Sequence, residues 1–120
     1  APTVAASNVR KGIFLAFNET DDSQEGNGYS LTLDADATPR TLKLYLGAFN
    51  SIANLTASLD DGSASDAVVL VSNPDSDLGL YKVVTIDFTA AGAANLTVTF
   101  TLEDDNGTAS AIFLNAATLQ

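Results

Sequence analysis

The side chains best suited to ligate a hard metal ion or to act as general acids are the chain's carboxylates. It contains no cysteine and no histidine, which excludes disulfides, thiolate metal sites, histidine general bases and the usual zinc constellations. Acidic residues cluster at Asp21-Asp22-Ser23-Gln24-Glu25, at Asp60-Asp61 with Asp66, at Asp75-Ser76-Asp77 and at Glu103-Asp104-Asp105. These are the hard oxygen donors that Ca2+ prefers, although none has the EF-hand spacing. Asp60, Asp61 and Asp66 are the calcium candidates, and no other cofactor is expected. Paired carboxylates can also hydrolyse glycosides, but only across a cleft and with one of them in a pocket that raises its pKa. Here they sit in polar, turn-like stretches. With no nucleophile elbow, phosphate loop or dinucleotide fingerprint either, the expectation is a protein that is not an enzyme.

Two other residue classes carry chemistry. Four Asn-x-Thr sequons begin at Asn18, Asn54, Asn95 and Asn106, where composition alone would give about two. They mark candidate N-glycosylation sites and so predict exposure. Recognition of a sugar needs aromatic faces beside polar groups; the chain has no tryptophan, three tyrosines and six phenylalanines. Phe49, at a strand end, and Tyr29 and Phe17, flanking the Asn18–Gly28 loop, are the candidate ligand-binding platforms. Phe88, Phe100 and Phe113 read as core, and Tyr45 as a solvent-side or intersubunit contact.

The elements that must position these groups are strands. Apolar residues recur at period two in runs rich in Val, Leu, Thr, Phe and Tyr, separated by clusters of Gly, Asn, Asp and Pro. The pattern predicts strands over Gly12–Asn18, Tyr29–Ala35, Thr41–Phe49, Ala53–Leu59, Ala67–Ser72, Leu80–Thr89, Asn95–Glu103 and Thr108–Ala116, and no helix. Leu42, Leu44 and Leu46 share one face against Lys43 and Tyr45; Leu96, Val98, Phe100 and Leu102 oppose Thr97, Thr99 and Thr101. Two stretches echo each other, Ala53-Asn54-Leu55-Thr56 before Asp60-Asp61-Gly62-Ser63 and Ala94-Asn95-Leu96-Thr97 before Asp104-Asp105-Asn106-Gly107-Thr108. The Asn-Gly of the second predicts a tight hairpin. About eight short strands in 120 residues fit an all-β antiparallel sandwich of jelly-roll type, with residues 11–120 as a single domain and residues 1–10 as an N-terminal arm.

Fifteen acidic against five basic residues give a net charge of −10, a field that repels nucleic acid and anionic membranes. No apolar run reaches the ~20 residues of a membrane-spanning helix, so no membrane insertion is expected. The sequence lacks methionine and opens Ala-Pro-Thr, which suits a processed, exported chain. The expected location is extracellular or at the cell surface.

The run Arg40-Thr41-Leu42-Lys43-Leu44-Tyr45-Leu46-Gly47, followed by Leu59-Asp60-Asp61-Gly62-Ser63-Ala64 and the closing Ala116-Ala117-Thr118-Leu119, resembles galactose-binding-like jelly-roll domains of bacterial extracellular and cell-surface proteins. The resemblance covers about residues 9–119 and implies fold more than function. Family members carry additional strands before the segment matching Val9–Asn18, where this chain has the short Ala1–Asn8 arm. A sandwich short of a strand would either close with fewer strands, the arm pairing within its own chain, or accept a strand from a neighbour. Two functions follow as expectations: a glycosylated subunit of an extracellular filament or surface coat assembled by strand exchange, or a carbohydrate-binding module of a larger secreted enzyme or adhesin. Its partners would be copies of itself or glycans.

Overall fold

A computed structural model describes residues 13–17, 26–73, 79–104 and 110–120, the first of these as strand backbone only. Eight strands run in chain order: β1 (Ile13–Phe17), β2 (Gly28–Ala35), β3 (Arg40–Phe49), β4 (Ser51–Leu59), β5 (Ala67–Asn73), β6 (Leu80–Phe88), β7 (Ala94–Asp104) and β8 (Ser110–Leu119). The described residues contain no helix. The strands form two four-stranded sheets, ordered β1-β8-β3-β6 and β2-β7-β4-β5, and every pairing is antiparallel. Among the described residues, two sheets with this interleaved order have the topology of a jelly roll. The Ala1–Arg10 arm lies outside the described residues.

Alternation in the sequence decides which side of each sheet faces in. Leu42, Leu44 and Leu46 of β3 and Leu96, Val98, Phe100 and Leu102 of β7 are buried, as are Ala53, Leu55, Ala57 and Leu59 of β4. Alanines among these larger side chains let the inner faces interdigitate at the close spacing of stacked sheets. Each buried leucine contributes on the order of 2 kcal/mol of transfer free energy. A Leu→Ala change in this layer therefore costs roughly 2–5 kcal/mol.

From β3 to β4 the chain passes from the first sheet to the second across a single residue. Asn50, between β3 and β4, has φ of 48°, a left-handed conformation that asparagine tolerates better than most residues. Buried polar groups hold this corner: Ser51 Oγ donates to the Ala111 carbonyl at 3.1 Å and Asn73 Nδ2 to the Ala48 carbonyl at 2.9 Å. Buried donors left without such partners would cost about 1–3 kcal/mol each.

Two expectations need correction. β7 and β8 lie in different sheets and so do not form the hairpin expected around Asn106-Gly107, residues that lie outside those described. The echoing segments are instead antiparallel neighbours within one sheet, β4 on β7, with Ser58 opposite Thr97 and Leu59 opposite Leu96. Strand β8 also runs three residues further than its pattern suggested. The register jumps between Tyr45 and Leu46, which pair with Ala116 and Leu114. That leaves Asn115 as an extra residue, a β-bulge that breaks the period of two.

Candidate ligand-binding site

The outer face of β6, β3 and β8 is built in rows by cross-strand register. Tyr81, Gly47 and Phe113 form one row; Val83, Tyr45 and Ala116 the next; Thr85, Lys43 and Thr118 the third. In the first row glycine stands between two aromatic residues. A β-carbon on Gly47 would collide with the Phe113 ring and with the Leu80 carbonyl oxygen. Its absence lets the rings of Tyr81 and Phe113 converge, with centroids 5.2 Å apart and planes inclined at 50°. Such tilted pairs are worth about 0.5–1.5 kcal/mol beyond the area they bury.

Phe113 is thus an outer-face residue, against the expectation of a core position. Its ring is covered by Tyr81, which remains 71% exposed. Tyr45 projects from the side of β3 opposite its leucines, as the alternation predicts. Tyr45, Tyr81, Val83, Asn115 and Ala116 line a shallow depression of about 360 Å3. The β8 bulge adds a polar amide at Asn115, and the third row continues the face with hydroxyls and an ammonium. Flat apolar faces beside spaced hydrogen-bonding groups suit a hydroxylated ring with an apolar C–H side. Among the described residues no carboxylate lines the depression, whereas breaking a glycosidic bond calls for a pair of them. Pattern reasoning missed Tyr81 because Leu80-Tyr81-Lys82-Val83-Val84 does not alternate. Its place opposite Gly47 is set by pairing between strands far apart in the chain, which the sequence does not signal.

The predicted platforms fall elsewhere. Phe49 is half-buried opposite Ala111, one row beyond Gly47, and does not line the depression. Tyr29 points inward: its ring stacks on Phe100 at 6.5 Å, and its hydroxyl donates to the Ile112 carbonyl of the other sheet at 3.0 Å. It ties the sandwich together. Phe17 ends β1, opposite Ser110 in register, and its side chain lies outside what the structure describes.

The acidic candidates have structural employment. Asp60 accepts from the Asn95 backbone amide at 2.9 Å and from Asn95 Nδ2 at 3.2 Å. Asp61 accepts from the Ser63 hydroxyl at 2.7 Å, from the Ser63 amide at 2.9 Å and, through its other oxygen, from the Ala91 amide at 3.0 Å. These bonds, the Ser63 hydroxyl foremost, hold the Asp61 carboxyl below the usual carboxylate range. Asp36 is lowered likewise, first by the Thr38 amide at 2.8 Å and, more weakly, by Arg40, whose guanidinium lies 3.3 Å away. The β4–β5 connection is so fastened to the β6–β7 connection. Asp66 is exposed. Among the described residues no three acidic side chains converge on a point where a metal ion could sit, so Asp60, Asp61 and Asp66 are not brought together. Of the sequons, Asn54 and Asn95 lie on the outer face of the second sheet; Asn18 and Asn106 lie outside the described residues.

The fold is an antiparallel sandwich of jelly-roll type, the architecture that the resemblance to galactose-binding-like domains implied. No protein-family model matches the chain, and no curated protein matches it. Among solved structures it is similar to the EclA C-terminal domain, described as a sugar-binding protein, with a TM-score of 0.56 and 14% identity over 100% of this chain and 83% of that one. Similarity extends more loosely to accessory secretory protein 1, 2 and 3 of Streptococcus pneumoniae, with a TM-score of 0.48, 17% identity, and 99% and 89% of the two chains covered. A family 35 carbohydrate-binding module, Xyl-CBM35 in complex with a glucuronic acid-containing disaccharide, has a TM-score of 0.42 and 15% identity over 92% of this chain and 88% of that one. At such identities the likeness is one of fold.

Proposed function

We propose that the chain is a non-catalytic carbohydrate-binding module acting outside the cell, and that it holds a sugar on the outer face of β6, β3 and β8. The observation that carries this reading is the Tyr81 ring, exposed yet held against Phe113 above Gly47. A prearranged aromatic face loses little conformational entropy when a ligand docks. Tyr45 extends the platform, and Asn115, Thr118, Thr85 and Lys43 supply hydrogen bonds around it. Broad glycan-array screening of the intact chain tests the reading. Binding to at least one glycan class is expected, weakened tenfold or more by Tyr81→Ala and retained by Tyr81→Phe, with the β-sheet circular dichroism unchanged. A flat array from folded protein would remove the proposal.

A second reading, the self-assembling coat or filament subunit, draws on a different observation. Strand β5 is an edge of its sheet, and its Val68 and Leu70 are 65% and 53% exposed. An apolar edge of this kind is a template for another strand. The donor would be the Ala1–Arg10 arm of a second copy. Sedimentation at micromolar concentration separates the two: a module stays monomeric, whereas an exchanging subunit forms species whose size depends on that arm.

A further inference from the structure

Rows also organise the outer face of the second sheet. Gly28, Thr101, Asn54 and Leu70 lie side by side, and so do Ser30, Thr99, Thr56 and Val68. Hydroxyls and amides cover this face until β5, where Val68 and Leu70 stand exposed. Their cross-strand partners are Thr56 and Asn54, the third and first residues of the sequon Asn54-Leu55-Thr56. Leu55 is buried beneath them, so both residues that the sequon requires point outward together. The two described sequons differ in one respect. The Asn95 amide is engaged by Asp60, whereas the Asn54 amide makes no hydrogen bond with another described residue.

We propose that Asn54 is an N-glycosylation site whose first sugars lie across Leu70 and Val68 and close the β5 edge. Its side-chain Nδ2 loses a proton and bonds to C1 of an oligosaccharide as the C1–O bond to the diphosphate of an activated glycosyl donor breaks and the diphosphate leaves. Directly opposed residues in a sheet have β-carbons about 5 Å apart, so a sugar attached at Asn54 Nδ2 begins within reach of Leu70. The C–H face of that sugar covers apolar surface that water would otherwise meet, and its bulk obstructs an incoming strand. This inference does not depend on the ligand-binding reading, because it concerns the opposite sheet. It competes with strand addition for the same edge.

The test is to produce the full chain in cells that N-glycosylate a secreted reporter protein, and to map glycopeptides by mass spectrometry with and without glycosidase. Asn54 is expected to be occupied, with one glycan mass lost in Asn54→Gln and also in Thr56→Ala, a second variant that keeps the asparagine. Unglycosylated variants are expected to self-associate at concentrations at least tenfold lower than the glycosylated chain, and adding Leu70→Ser to Asn54→Gln should restore the monomer. An unmodified Asn54 in cells that modify the reporter overturns the proposal. An occupied Asn54 whose loss leaves self-association unchanged overturns the covering role.

Discussion

The exposed ring of Tyr81 packs against Phe113 at 5.2 Å because the residue between them on the central strand, Gly47, has no side chain to keep them apart. Tyr81 and Phe113 stand on the two strands that flank β3, so any side chain at position 47 would lie between their rings. Here the glycine provides the seat and Phe113 the backing, so an exposed side chain acquires the rigidity of a half-buried one. This arrangement separates the proposed platform from a merely apolar surface.

Adding a methyl at Gly47 should therefore affect stability and binding together. The Phe113 ring can shift, but the Leu80 carbonyl oxygen belongs to the paired strand β6 and cannot move without breaking its ladder. Gly47→Ala is expected to destabilise the protein by about 1–3 kcal/mol, the usual cost of overpacking. Urea unfolding would show a lower midpoint at unchanged slope.

Tyr29→Phe should cost stability and spare the ligand. The substitution keeps the ring on Phe100 and removes the hydroxyl that reaches the Ile112 carbonyl across the sandwich. A bond of this kind contributes about 1 kcal/mol. The expected result is a chemical-denaturation stability lowered by about that amount, with the glycan-array profile of the parent.

Acid should weaken the loop end of the molecule through Asp36 and Asp61. Both carboxyls have native pKa values depressed by hydrogen bonds from backbone amides and, at Asp61, from the Ser63 hydroxyl. A depressed carboxylate stabilises the native state above its unfolded pKa, and that contribution is lost as pH falls through the native one. Melting temperature should accordingly decline below about pH 4, starting near the ordinary carboxylate value. Asp61→Asn, which cannot titrate, should show a shallower decline over that window and a lower melting temperature at neutral pH.

The strands were legible where one face is fully buried. Leu42, Leu44 and Leu46, like Leu96, Val98, Phe100 and Leu102, alternate without interruption, and each described strand overlaps the range that the pattern gave it, β8 alone ending well beyond. Pairing was not legible, because only β4 and β5 are both consecutive and paired. The remaining ladders join residues far apart in sequence, which local pattern does not encode. The site was legible only at Tyr45. Phe113 looked like core because aromatic residues in strands usually face inward, and its outward position depends on Gly47 of β3, adjacent in the sheet but far away in sequence. Tyr29 failed as a platform for the converse reason. Its hydroxyl finds a carbonyl inside the sandwich, so a polar tip did not mean a solvent-facing side chain.

At Asn50 the backbone conformation can be measured separately from the side chain. Replacing it by glycine or by alanine removes the same amide, and the buried corner loses whatever that amide holds in both variants. The two differ in their tolerance of φ at 48°. Alanine meets a left-handed strain of roughly 1–2 kcal/mol, partly offset by its smaller loss of unfolded-state entropy, about 0.4–1 kcal/mol. Asn50→Gly is therefore expected to be the more stable variant by about 1 kcal/mol in paired urea titrations. Equal stabilities would mean that the sheet-to-sheet corner relaxes out of its left-handed turn.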